Sequence, residues 1–196
     1  MFLESIRLVN GRIMNLRFHQ DRVNTTYAQV YPGKEPILLK NHLKVSPRHR
    51  KGVFKVRIIY TDAEVEVQFH PYVVKQVSSL QLVYDDDIDY SSKYVNRDVL
   101  TRLYDQRKEC DDILIVKNNR ITDAYYSNVA FLKNGVWHTP RCPLLGGTRR
   151  KQLLGQKRII LADIKPTDIK QYSHVSLFNA LIPFKKVVIS LSKVYA

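Results

Sequence analysis

The chain has 196 residues, 44% of them hydrophobic, with twelve Tyr and seven Phe. That is enough for a real core in one compact unit or two small, tightly joined lobes. It contains no run of about 18 apolar residues, which argues against a membrane-spanning helix. Its start, Met-Phe-Leu-Glu-Ser, reads as a strand and not as a signal peptide, so a cytoplasmic protein is expected. The net charge of +14 suits either anionic small molecules or nucleic acid. Its one dense run, Arg48-His49-Arg50-Lys51, reads as a solvated loop. Cys110 and Cys142 offer neither a metal spacing nor a disulfide framework.

In chain order, Ile6, Leu8 and Ile13 flank Asn10-Gly11, a two-residue hairpin signal. Asn15 is placed to cap a helix in which Leu16, Val23, Tyr27 and Val30 recur at near-helical spacing, and Pro32-Gly33 ends it. A second hairpin is expected over 53–72, where Val65, Val67 and Phe69 alternate with polar residues. On its first strand Lys55 and Arg57 leave one face while Phe54, Val56 and Ile58 take the other. Two cations together suit a carboxylate-bearing substrate, and equally a solvated strand face.

Leu80–Tyr84 is another strand, and Asp85-Asp86-Asp87 marks a crossing between lobes. A helix is expected over Asn96–Arg107, then hairpins turning at Asn118-Asn119 and Asn134-Gly135. A short helix from about Arg149 and two late strands, Val175–Phe178 and Lys186–Leu191, complete the chain. No repeat or low-complexity segment interrupts it. Short strands alternating with helices in this way make the fold α+β and not doubly wound.

The stretch DILIVKNNRITDAYYSNVAFLKNGVWHTPRCPLLGGTRR, with the acidic pair at Asp111-Asp112, resembles the second half of a class IV aminotransferase, the fold-type IV family that uses pyridoxal 5'-phosphate (PLP). Upstream, SSKYVNRDVL is similar to the family's segment carrying the cofactor lysine. FLESIRLVNG and LRFHQDR resemble its F-E-(S/T)-I-R and H-x-x-R elements, and SLFNALIPF resembles one typical of the 4-amino-4-deoxychorismate lyase branch. The chain opens directly on the F-E-S strand, which reads as a short form of the family.

The resemblance implies a two-lobed D-amino-acid aminotransferase-like fold, with lobes 1–78 and 79–196 and PLP between them. It implies that Lys93 holds the cofactor covalently and moves protons, and that Asp123, where relatives usually carry Glu, faces the pyridine nitrogen. Arg22 is assigned to the phosphate, with His19 three residues earlier as a structural partner. Gly147 and Thr148 open a helix and suit an anion, although capping explains them equally well. Asn179 and Ala180 form a second phosphate loop. Asn128 reads as structural, and Arg97 is left without a role. Lys55 and Arg57 are assigned to the substrate.

Implied with these are a small anionic, amino-acid-like substrate, a homodimer, and PLP-dependent lyase chemistry releasing pyruvate to give p-aminobenzoate for folate synthesis. Branched-chain or D-amino-acid aminotransferase activity is the alternative. A basic nucleic-acid-binding protein on an inherited scaffold is the remote one.

Overall fold

Asn10 and Gly11 both take positive φ, 47° and 80°, as the tight hairpin turn requires. In the computed structural model, which describes all 196 residues, this turn joins β1 (Phe2–Val9) to β2 (Arg12–Ile13). There follow α1 (Leu16–Val30), a short α2 (Leu39–His42), β3 (Val53–Tyr60) and β4 (Val65–Pro71). The antiparallel sheet has the order β2-β1-β3-β4. Strand alternation sends Phe2, Ile6, Leu8, Val56, Ile58 and Tyr60 to one face, where they bury against Val23, Tyr27 and Leu39. Tyr27 stacks on Tyr60 at 6.2 Å and donates its hydroxyl to Thr61 O at 2.7 Å.

Asn15 does not cap α1 through its side chain. It sits in the left-handed region at φ 54° and contributes only its carbonyl, which accepts from Phe18 N at 3.0 Å. Nor is the basic run wholly solvated. His49 is buried, with its ring stacked on Phe69 at 4.4 Å, while Arg48, Arg50 and Lys51 are exposed.

Met1–Val74 and Ser92–Asn96 form one compact unit, and Lys75–Ser91 with Arg97–Ala196 the other. The Lys93 segment thus belongs with β1. Leu3 N donates to Lys93 O at 2.9 Å, Val95 N to Met1 O at 3.2 Å, and Phe2 pairs with Tyr94 in an isolated bridge.

The second unit is built on a nine-stranded sheet. Its elements are β5 (Leu80–Tyr84), α3 (Asp98–Tyr104), β6 (Asp112–Lys117), β7 (Arg120–Ala124), β8 (Asn128–Lys133), β9 (Val136–Pro140), α4 (Thr148–Gly155), β10 (Ile160–Ala162), β11 (His174–Phe178), β12 (Val187–Ser190) and β13 (Val194–Tyr195). The main path runs β10-β9-β8-β7-β6-β5-β13, with β11 and β12 branching from β8. Both expected turns are present, with positive φ at Asn118, Asn119, Asn134 and Gly135. The helix expected over Asn96–Arg107 is shorter, because beyond Tyr104 the chain loosens into turns and Lys108 takes φ 53°. No helix of the chain is long and apolar enough to cross a membrane.

Candidate active site

On β1 the inward face carries a carboxylate among apolar side chains. Glu4 is 0% exposed. Its Oε1 accepts from Arg22 Nε at 2.7 Å, and its Oε2 from Arg22 Nη2 at 2.6 Å and His19 Nδ1 at 2.5 Å. His19 and Arg22 reach it together because i and i+3 share a helix face. Burial alone would push the Glu4 carboxyl up, but Arg22 and then His19 outweigh it and hold the carboxyl at about 2. Burial lowers the pKa of His19, against the pull of Glu4. The positive charges of Arg22 and Lys93 act in the same direction as burial, which brings half-buried Lys93 into the electrostatic surroundings of this group. Arg22 was expected from the sequence; Glu4 was not, although its alternation with Phe2, Ile6 and Leu8 puts it on the same strand face.

On the opposite face of that sheet, Lys55 lies between Arg7 on β1 and His70 on β4, and Arg57 between Ser5 and Gln68. Both expected cations are half-buried. Arg57 Nη1 donates to Gln68 Oε1 at 3.4 Å. Arg7 enlarges the cationic patch, and its Nε is buried without a hydrogen-bond partner. Cations directly opposite one another across strands repel, so this face favours an anion.

In the second unit, Asp123 at the end of β7 is 5% exposed. Asn128 Nδ2 donates to its Oδ1 at 2.7 Å, and Leu145 N to its Oδ2 at 2.9 Å. Burial raises its pKa to about 6, against the Leu145 N–H, Asn128 and Arg150. Asn128 also donates to Leu145 O at 2.9 Å, so one amide ties the strand to the loop that leads into α4.

That loop ends at Gly147, the residue before α4, and Thr148 is buried at the first turn. The first turn carries Arg149, Arg150 and Lys151 and no acidic residue, so cations sit at the end of the helix dipole that already favours anions. Arg150, unforeseen in the sequence, is buried and donates Nη2 to Pro140 O at 2.6 Å, clamping α4 to β9.

The side chain of Asn179 is engaged by its own loop and by the Tyr126 carbonyl. Its Oδ1 accepts from Leu181 N and Ile182 N, both at 2.8 Å, and its Nδ2 donates to Tyr126 O at 3.0 Å. The amide thus builds the Asn179–Ile182 turn. Arg97 is held in a tyrosine cluster, 4.1 Å from the Tyr126 ring and 4.9 Å from that of Tyr125, and donates to Tyr125 O at 2.6 Å.

Cys110 and Cys142 are free thiols, and no cluster of His, Cys, Asp and Glu could hold a metal ion.

These features can be set beside known proteins. The sequence pattern of the amino-transferase class IV family matches residues 1–188. The chain is 32% identical over 181 residues to an uncharacterized protein of Haemophilus influenzae, covering 91% of this chain and 96% of that one. A crystal structure from Haemophilus somnus, provisionally named a 4-amino-4-deoxychorismate lyase, is 34% identical, with a TM-score of 0.86 and coverage of 92% of this chain and 96% of that one. A Mycobacterium tuberculosis protein, described as a hypothetical aminotransferase in PLP-bound form, shares the fold at a TM-score of 0.78 and 14% identity, covering 95% of this chain and 79% of that one. A buried carboxylate before the strand Asn, a Gly-Thr helix start and an H-x-x-R helix are thus joined to a match along almost the whole length: the chain belongs to the class IV aminotransferase family.

Proposed function

We propose that the protein is a PLP-dependent lyase of the 4-amino-4-deoxychorismate lyase type, releasing pyruvate to leave p-aminobenzoate. The observation that carries this reading is the near full-length 34% identity to the Haemophilus somnus protein provisionally named for that activity. The residues present suit the cofactor chemically: a primary amine at Lys93 for its aldehyde, and a buried carboxylate at Asp123 for its ring nitrogen. For its phosphate there are the Arg22 guanidinium and the N–H groups opening α4, with the Thr148 hydroxyl. When bound, PLP would supply an electron sink that acidifies the carbon bearing the substrate's amino group.

Lys93 takes the proton from that carbon. The C–O bond to the enolpyruvyl group then breaks as the six-membered ring becomes aromatic, and the departing enolpyruvate gains a proton to become pyruvate. Asp123 keeps its charge near neutral pH, since its pKa is raised only to about 6. Lys55 and Arg57, two half-buried cations on one strand face, hold the substrate's carboxylates. We further propose a homodimer, which light scattering of the purified protein tests.

The reaction is tested by adding 4-amino-4-deoxychorismate to the PLP-loaded protein without a keto-acid acceptor. The lyase reading expects stoichiometric pyruvate and p-aminobenzoate. Aminotransferase activity, the reading suggested by the fold shared with the Mycobacterium tuberculosis protein, would instead consume an acceptor and give no pyruvate from this substrate.

A further inference from the structure

A buried carboxylate in an apolar sheet face is costly unless it is fully paired, and an apolar residue in its place is often at least as stabilising. Glu4 lies on the inward face of β1 between Phe2 and Ile6, both of which belong to the hydrophobic core. What the carboxylate supplies instead is geometry. Its two oxygens meet Nε and Nη2 of Arg22 at 2.7 and 2.6 Å, a fork-to-fork pair that fixes the plane of the guanidinium. His19 Nδ1 at 2.5 Å fixes the carboxylate in turn.

We propose that Glu4 is a positioning residue that presets Arg22 for the phosphate group of the cofactor, an inference that rests on the PLP reading above. A free arginine side chain samples many rotamers. Glu4 removes that freedom within the protein, before the ligand arrives.

The test compares PLP with pyridoxal, which has the same ring and aldehyde but no phosphate. Dissociation constants for both are measured by absorbance titration of wild type, Glu4→Gln, Arg22→Lys and the double variant. A glutamine cannot accept with both terminal atoms, so the fork is broken. Loss of one charge-assisted contact predicts about a tenfold or greater rise in the PLP constant for Glu4→Gln. The pyridoxal constant is unchanged, and Glu4→Gln adds nothing further in the Arg22→Lys background.

Equal weakening of both ligands, no weakening, or full additivity with Arg22→Lys would overturn the inference, because each separates Glu4 from the phosphate. If Glu4→Gln does not fold, Glu4→Asp keeps the charge, shortens the reach and undergoes the same comparison under the same criteria. Wild type that binds no PLP would overturn the cofactor reading itself, and this inference with it. Wild type that binds PLP with the two ligands equally affected by Glu4→Gln would overturn this inference alone.

Discussion

A methyl group at Gly147 would stand 1.8 Å from Oδ1 of Asn128. The backbone of Gly147, at φ −66° and ψ 140°, is open to any residue, so contact alone demands glycine here. The amide it protects is the one that joins Asp123 to Leu145.

Gly147→Ala is therefore expected to displace Asn128 and leave the buried Asp123 short of a donor. The cost is about 1–3 kcal/mol of stability. Urea unfolding measures it, and Asn128→Ala in the same chain should absorb most of the loss. Full additivity of the two substitutions would mean that they do not act through this contact.

The pH dependence of stability separates Glu4 from other carboxylates. Its folded pKa, about 2, lies below its ordinary 4.5. The stabilisation is complete above about 4.5 and is lost as the pH falls towards 2. By linkage it amounts to at most about 3 kcal/mol. The difference in unfolding free energy between wild type and Glu4→Gln should shrink steadily over that window, and a constant difference would show that Glu4 is not depressed.

Asn179→Ala removes the acceptor of two backbone N–H groups and a donor to Tyr126 O. A loss of about 1–2 kcal/mol is expected, together with weaker PLP binding as the Ala180 backbone loosens. Thermal melting with and without PLP checks both effects. An unchanged melting temperature without PLP would contradict the structural role.

Lys55→Met and Arg57→Met are expected to raise KM for an anionic substrate by about tenfold each, with kcat less affected, since each removes a charged contact worth about 1.5 kcal/mol. Pyruvate release at varied substrate reads this out. Unchanged KM would return the strand face to its solvated reading.

Much of this was legible because the turns are local. Asn10-Gly11, Asn118-Asn119 and Asn134-Gly135 need only residues that tolerate positive φ, and each hairpin follows. The strands β10 and β13 escaped, being three and two residues long and paired in parallel with β9 and β5, which local patterns do not reveal. Asn15 was misread because its side chain suits both a helix cap and a left-handed turn. Arg22 and Thr148 were singled out by motifs. The binding of Glu4 to Arg22 is a contact across 18 positions, visible only once β1 and α1 are packed. The turn-building role of Asn179 likewise depends on where the Tyr126 carbonyl lies.

The proposed function turns on covalent attachment of PLP to Lys93. Purified protein is incubated with PLP, its visible spectrum recorded, borohydride added and the digested protein analysed by mass spectrometry, for wild type and Lys93→Ala in parallel. Wild type is expected to show a violet-absorbing band that borohydride converts to a phosphopyridoxyl group on the peptide containing Lys93, and the variant neither. A wild type without the band, or a label on another lysine, would contradict it.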